Sequence, residues 1–395
     1  MTAFRTRGHP AATAAVAAMV RGHMPHAILL VGPRGIGKTT LATDIAAGLL
    51  CTDPDPAARP CGRCRGCRLV ASGGHADVHR LDPEGAGRQV VIGGPGSSAR
   101  GVRDLILELA LTPVEGGARV AIVTAADRMN EDAQAALLKT LEEPAAGVTL
   151  ILCADVEDPI LPTIRSRSAR ILLGPVATRD IETLLTEAGT ADPPLAARLA
   201  RIAGGRPGMA MAWARHPEVL VMREQLSRTI LDLTEARPAE RLAAMRSALP
   251  VAAAVADLAD VADDPGMTGN AKRRVRGPTL AVSSADGGDD EDDGTAAAPA
   301  RASAAQRRRS VEAIVTVWTD VARDLAVAGR GLASSARDIG LLDESRRLAE
   351  RLDPDAVVAF LDRLGRATTL LAGNVSPELV LDDLVLTWPR PTTGL

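Results

Sequence analysis

The spacing of apolar and polar residues divides the chain into a first part of alternating strands and helices and a second part of helices alone. Apolar runs of strand length predict buried strands at 26–31, 119–126, 148–153 and 170–173, with a shorter candidate at 89–93. Helical spacing is found in the segments at 11–20, 38–50, 102–111 and 130–143. Strands that alternate with helices predict an α/β domain with a mainly parallel sheet, which we place at residues 1–175.

The strand patterns stop at about residue 177, and helical patterns continue to the end of the chain. Two helical segments that end in glycine predict a small helical module over 176–208, and a larger helical domain over 209–395 follows. This larger domain is interrupted at about 263–303 by a segment rich in Gly, Ser, Pro and Ala. Its basic cluster (Lys272, Arg273, Arg274, Arg276) precedes six acidic residues between 286 and 293. Such a segment buries too little apolar area to offset the entropy lost on ordering, so we predict a disordered, solvated insert. The alternative is that its basic cluster contacts DNA.

Composition restricts the classes of function. Although 46% of the residues are hydrophobic, the chain has two Phe, three Trp and no Tyr, so Ala, Leu, Val and Ile must form the core. The net charge of −3 gives no global basic surface, so any nucleic-acid contact must be local or supplied by partners. No apolar run approaches the roughly eighteen residues of a membrane span, and we expect a cytoplasmic protein without a membrane partner.

A phosphate-binding loop follows the first predicted strand. The segment GPRGIGKT fits the pattern G-x-x-x-x-G-K-T and precedes a predicted helix. In such a loop, backbone N–H groups wrap the phosphates, Lys38 reaches the β- and γ-phosphates and the Thr39 hydroxyl binds Mg²⁺. The predicted nucleotide-binding residues are Gly32, Pro33, Arg34, Gly35, Ile36, Gly37, Lys38, Thr39 and Thr40.

The strand that begins at Arg119 lacks the carboxylate that ATP hydrolysis requires. In ATPases with this loop, an acidic residue at the end of such a strand holds Mg²⁺. Here the strand ends in Thr124, Ala125 and Ala126, and Asp127 lies beyond its end. The sequence is therefore compatible with binding of ATP and Mg²⁺ but argues against their use in hydrolysis.

A cysteine cluster follows the predicted helix after the loop. It has the spacing C-x9-C-x2-C-x2-C and consists of Cys51, Cys61, Cys64 and Cys67. Four thiolates around Zn²⁺ form a closed tetrahedral site, which is structural because no ligand position stays open. Four arginines alternate with the cysteines and are expected to lower the thiol pKa values: Arg59, Arg63, Arg65 and Arg68. Disulfides or free thiols are the alternatives, and a cytoplasmic location disfavours disulfides.

Together these segments resemble the clamp-loader subunits of bacterial DNA polymerase III, which belong to the AAA+ class. The segments HAILLVGPRGIGKTTLA, the cysteine insert at 51–67, NEDAQAALLKTLEEP and PTIRSRS occur in the order found in that family. NVSPELVLDDLVL resembles the end of the family's collar domain, so the resemblance covers nearly all of the chain except the predicted insert. It implies an AAA+ nucleotide domain over 1–175, a helical lid over 176–208 and an all-helical collar over 209–395.

Two subunit types of this family share the pattern, the gamma/tau motor ATPase and the delta-prime subunit. The motor carries Asp-Glu where alignment through LLKTLEEP places Thr124 and Ala125. The sensor threonine region of the family falls near Asp155, and its sensor arginine in the lid falls on Pro207, next to Arg206. These departures from the motor pattern favour the delta-prime type.

Ser166 and Arg167 match the arginine finger of the family, which acts on the nucleotide of a neighbouring subunit. The resemblance implies a stator in a five-subunit ring with gamma/tau and delta subunits, part of the DNA-directed DNA polymerase holoenzyme. Such a ring opens the sliding clamp and loads it onto primed DNA.

Two other functions stay open at this point. An active gamma/tau-type motor is disfavoured by Thr124 and Ala125. A zinc-dependent nucleic-acid-binding regulator with a vestigial loop is disfavoured by the mild net charge and the few aromatic residues for base stacking.

Overall fold

The structure is a computed structural model that describes residues 3–84, 89–94, 97, 99–115, 117–261, 303–373 and 375–391. The insert predicted at 263–303 lies outside the described residues except for Ser303, whose hydroxyl caps the helix that follows it.

Among the described residues, five strands form a single sheet in the first part of the chain. They are β1 (Ala27–Val31), β2 (Val78–Leu81), β3 (Arg119–Val123), β4 (Val148–Ala154) and β5 (Ala169–Leu172). The order across the sheet is β2-β3-β4-β1-β5, and every neighbouring pair is parallel. The prediction of an α/β domain with a parallel sheet is confirmed.

One of the two edge strands of this sheet differs from the prediction. The strand predicted at 89–93 is wrong, because Gln89 and Val90 form only isolated bridges there. The edge position is taken by β2, which has the sequence VHRL and is only partly buried up to Leu81. An edge strand with polar, half-buried side chains has no continuous apolar run. The apolar pattern of the sequence therefore did not predict β2.

Among the described residues of this part of the chain there are six α-helices. They are α1 (Pro10–Arg21), α2 (Lys38–Leu49), α3 (Arg65–Ala71), α4 (Val102–Leu109), α5 (Glu131–Glu142) and α6 (Pro162–Ser166). Side chains alternate along β1, so Ile28 packs in the core on the side of α2 and Leu29 in the core on the side of α5. The predicted N-cap is confirmed, since the Asn130 side chain accepts a hydrogen bond of 2.9 Å from the Ala133 N–H.

The residues after the sheet are helical throughout the described part of the chain. Three helices follow β5, namely α7 (Thr178–Glu187), α8 (Pro193–Ile202) and α9 (Pro207–Arg215). Six more complete the chain: α10 (Glu218–Asp232), α11 (Pro238–Val261), α12 (Ala304–Ala328), α13 (Leu342–Ala349), α14 (Pro354–Ala372) and α15 (Pro377–Thr387). Among the described helices, none is long and apolar enough to cross a membrane.

The core of the last six helices is built around an aromatic cluster that composition did not suggest. Trp318, Phe360 and Trp388 are all buried, and their ring centroids lie 4.8–5.4 Å apart. The fully buried Arg241 donates to the carbonyl oxygens of Trp388 at 2.9 Å and Thr234 at 3.2 Å. Three of the few aromatic residues are thus concentrated in one place, where they link α12, α14 and the end of α15.

Candidate functional site

The phosphate loop lies between β1 and α2, as predicted. Gly35 and Gly37 have φ values of 75° and 110°, in the left-handed region that favours glycine. Lys38 is the first residue of α2 and is only 6% exposed, and the buried Thr39 follows it. The predicted nucleotide-binding residues are therefore brought together around the N-terminus of α2.

The ammonium group of Lys38 is held by acceptors of its own chain. Its Nζ donates to the carbonyl oxygens of Gly32 at 2.7 Å and Pro33 at 3.1 Å, and to Oδ1 of Asp155 at 2.7 Å. A lysine has three donors, so these contacts use all of them. Asp155 reaches the loop because it directly follows β4, which pairs with β1. Sequence reasoning noted Asp155 only as a departure from the sensor threonine and missed its contact with Lys38.

The end of β3 carries no acidic residue in the position that magnesium would need. Thr124 follows the strand directly, and its hydroxyl donates to Oδ1 of Asp82, beyond the end of β2, at 2.7 Å. Asp127 lies in the short 3-10 turn over Ala126–Arg128. Burial, and after it the charge of Asp155, raises the pKa of Asp127 to about 6. At neutral pH the Asp127 carboxylate is therefore largely ionised, and its negative charge near Asp155 disfavours the approach of phosphates.

Helix α9 packs directly on the phosphate loop. The Gly208 N–H donates to the Gly35 carbonyl oxygen at 2.8 Å, and a Cβ at Gly35 would lie 2.7 Å from Cγ of Met209. Pro207, which the resemblance aligns with the sensor arginine, is the first residue of α9. The neighbouring Arg206 donates from Nε to the Ala203 carbonyl oxygen at 2.9 Å and lines a cavity between α9 and the helices that follow.

Ser166 and Arg167 lie at the end of α6, before β5. The Ser166 hydroxyl and Nη1 of Arg167 both donate to the Thr163 carbonyl oxygen, at 3.1 and 3.2 Å. Nη2 of Arg167 donates to Oε1 of Glu142, the last residue of α5, at 2.9 Å. The Arg167 side chain is 37% exposed. Two of the segments that carry the resemblance, LLKTLEEP and PTIRSRS, therefore meet at this ion pair.

The four predicted cysteines come together in space. Their Sγ atoms all lie within 4.8 Å of one another, and none of the four forms a disulfide. Four sulfurs at about 2.3 Å from a zinc ion would be separated by about 3.8 Å, so the cluster fits a tetrahedral site. The N–H groups of Cys61, Cys64 and Cys67 each donate to a sulfur of the cluster at 3.4 Å.

Hydrogen bonds from backbone N–H groups, not the interleaved arginines, lower the pKa of the Cys61 and Cys64 thiols. Burial works against the thiolate, but the N–H groups of Cys67 and Thr52 outweigh it and lower the pKa of Cys64 to about 6. At Cys67 burial prevails and raises the pKa. The expected role of the arginines is not seen, because Arg63 pairs with Asp53 at 3.3 Å and Arg65 with Glu115 at 2.7 Å.

The first part of the chain is a P-loop nucleotide domain of the AAA+ class, as shown by its parallel sheet, the phosphate loop after β1 and the helices packed on that loop. A helical region follows this domain. Residues 10–177 match the family described as DNA polymerase III, delta subunit. Over these residues the chain is similar to the delta-prime subunits of bacterial clamp loaders.

Individual relatives agree with this assignment. The chain is 42% identical to DNA polymerase III subunit delta' of Pseudomonas aeruginosa over 147 residues, which cover 37% of this chain and 42% of that protein. It is 34% identical to the Escherichia coli delta' subunit over 192 residues, or 49% of this chain and 54% of that one. The match therefore spans about half the length of these relatives.

Similarity to the motor type is also detected. The gamma/tau subunit of Mycobacterium tuberculosis is 36% identical over 153 residues, which cover 38% of this chain and 25% of that protein. A gamma subunit-related protein of Thermotoga maritima aligns over 94% of this chain and 96% of its own, at 15% identity and with a TM-score of 0.35.

Proposed function

We propose that this chain is a clamp-loader stator of the delta-prime type, which helps to open the sliding clamp and load it onto primed DNA. The observation that carries the proposal is a phosphate loop whose lysine is bound by Asp155, next to a strand that ends without an acid. The chain keeps the architecture of a motor subunit while Arg167 remains at its surface.

Hydrolysis is left to another subunit in this proposal. Thr124 and Ala125 carry no charge, and neither can bind the Mg²⁺ shell or orient the attacking water. The Thr124 hydroxyl is also engaged with Asp82 at 2.7 Å. Nucleotide binding requires Lys38 to leave Asp155 and requires phosphates to approach two carboxylates, so we expect weak binding and no turnover.

Asp155→Asn is expected to raise the affinity for Mg-ATP by roughly tenfold, because a charge-assisted hydrogen bond to Lys38 contributes about 1.5–3 kcal/mol. Calorimetric titration of the purified chain measures this change, and turnover stays absent in wild type and variant. Lys38→Ala in either background removes the binding and is the control. An unchanged affinity in Asp155→Asn would show that the carboxylate does not restrain the loop.

The proposed role in the ring depends on Arg167. A finger acts on a neighbour's nucleotide, so it stays useful after the chain's own catalysis is lost. The partners are gamma/tau motor subunits and a delta subunit in a hetero-pentamer that works in the bacterial cytoplasm. Contacts with primed DNA run through the assembled ring and are mainly directed at phosphates.

Reconstitution tests the proposed function directly. Purified gamma/tau and delta subunits are expected to form a complete ring with this chain, and clamp loading on primed DNA should depend on its addition. Native mass measurements and a clamp-loading assay with fluorescent clamp provide the readouts. If the full-length chain joins no motor subunit and loading proceeds equally well without it, the proposal is wrong.

The cysteine cluster is proposed to hold a structural Zn²⁺ ion. The separations of the four sulfurs fit the ion, and a dication would stabilise all four thiols in the deprotonated form. Zinc therefore has the role of fixing the segment 51–67 against α2 and takes no part in chemistry.

A further inference from the structure

Residues 3–9 form a short strap that runs from the cysteine insert to the phosphate loop. At one end, the Ala3 N–H donates to the Pro60 carbonyl oxygen of the insert at 2.7 Å. At the other end, Nε2 of His9 lies 3.0 Å from the Ile36 carbonyl oxygen of the loop. The strap therefore contacts two sites that the sequence places in separate motifs.

The middle of the strap is held by a buried carboxylate of α2. Asp44 is 2% exposed and accepts hydrogen bonds from the N–H of Thr6 at 2.8 Å and from its hydroxyl at 2.6 Å. The Arg5 N–H lies 3.1 Å from each carboxylate oxygen. Burial raises the pKa of Asp44, and the hydrogen bonds from the strap oppose that effect. A buried carboxyl group requires such donors, so the strap is seated on α2 at a fixed position.

The His9 end of the strap restrains the backbone of the phosphate loop. A carbonyl oxygen only accepts, so Nε2 of the buried His9 carries the proton and donates to Ile36. Ile36 lies between Gly35 and Gly37, two residues whose backbone is conformationally permissive. A hydrogen bond from outside the loop therefore limits a segment that its own residues leave free to move.

We propose that the strap couples the cysteine cluster to the phosphate loop, so that zinc in the cluster restrains the loop through His9. The inference rests on the zinc site proposed above. Zinc fixes the insert that holds Ala3, Asp44 keeps the strap in line, and the seated strap places His9 against Ile36. When two sites bias one shared element, the coupling between them is reciprocal, so a restrained loop also favours zinc binding.

Helix α2 is a second physical connection between the two sites. It begins at Lys38 in the loop, and a Cβ at Gly66 of the insert would lie 2.4 Å from the carbonyl oxygen of Leu50, which follows the helix. The contact between His9 and Ile36 belongs to the strap and not to α2. Removal of this contact therefore separates the two connections.

Hydrogen exchange of the full chain, measured by mass spectrometry with and without chelator, tests the proposal below the unfolding temperature of the zinc-free chain. In the wild type, zinc removal is expected to accelerate amide exchange by about tenfold over 3–9 and over the loop at 33–38. In His9→Leu the strap still responds to zinc, but the loop already exchanges fast and no longer responds. His9→Gln restores the loop response, because its side-chain amide N–H takes the place of the Nε2 donor.

Asp44→Asn loosens the strap without a change at any cysteine. Its amide places donors against the Thr6 and Arg5 donors, so the strap and the loop are expected to exchange faster even when zinc is bound. Thr43→Ala is the matched control, because this neighbouring hydroxyl of α2 donates at 2.8 Å to the carbonyl oxygen of Thr39 in the same helix. Its exchange is expected to match that of the wild type. Thermal unfolding of each variant shows that it is folded.

Two outcomes overturn the strap alone. One is a zinc-loaded wild-type chain whose loop exchange stays the same after chelation. The other is a loop response that persists in His9→Leu, which assigns the coupling to α2. A wild-type chain that contains no zinc by metal analysis contradicts the zinc site and this inference together. The test uses the isolated chain, so its result is independent of clamp loading by the ring.

Discussion

Arg167→Ala is expected to reduce ATP hydrolysis at the motor site that this chain faces by roughly 10³-fold or more, as removal of arginine fingers does in comparable phosphoryl transfer. In the proposed ring, the Arg167 guanidinium stabilises the charge that develops on the phosphoryl group transferred at the neighbouring site. DNA-stimulated ATPase of the reconstituted complex is the measurement. The total ATPase rate of the complex is expected to fall by the fraction that the motor site next to Arg167 contributes.

Two further variants test whether a loss of hydrolysis is due to the Arg167 guanidinium itself. Arg165→Ala changes an arginine of the same helix α6 and is expected to leave hydrolysis unchanged. Glu142→Gln removes the carboxylate that holds Arg167 at 2.9 Å without removing the finger, so ring assembly should persist. The exposed pair contributes at most about 1 kcal/mol to folding, so Arg167→Ala should unfold at nearly the wild-type temperature. Unchanged ATPase in Arg167→Ala would exclude the finger role.

Cys64→Ser is expected to abolish zinc binding and to lower the free energy of unfolding by at least about 3 kcal/mol, because metal binding is coupled to the folding of such sites. The insert packs closely against α2. Cys67 Sγ lies 3.6 Å from the Ala47 carbonyl oxygen, and a Cβ at Gly66 would lie 2.4 Å from the Leu50 carbonyl oxygen. Loss of the metal therefore loosens the packing of the insert against α2.

Metal analysis and thermal unfolding with and without chelator measure this effect. One zinc ion per wild-type chain and none in Cys64→Ser is the expected result. Cys153→Ala is the matched control, because Cys153 is buried in β4 and is not one of the four clustered thiols, so this variant should retain the ion. A wild-type chain that contains no zinc, or a Cys64→Ser chain that keeps it, would contradict the metal site.

Much of the fold followed from local patterns. The four strands with continuous apolar sequence, the glycines of the loop and the Asn130 cap were all predicted, because each depends on residues close together in the chain. The edge strand β2 was missed because its half-buried side chains are not uniformly apolar. The arginines between the cysteines were predicted to lower the pKa values of the thiols. Arg63 and Arg65 instead form ion pairs with Asp53 and Glu115, because carboxylates are stronger partners for a guanidinium group.

The sequence by itself determined the motifs whose residues are neighbours in the chain, namely the phosphate loop, the cysteine spacing and the missing acid after Val123. Only the tertiary structure decided what these motifs contact. Lys38 and Asp155 are 117 positions apart and meet because β1 and β4 are adjacent in the sheet. Arg223 and Asp320 are 97 positions apart and meet because α10 packs against α12. Local conformation depends on nearby side chains, whereas these ion pairs depend on the order of strands and the packing of helices.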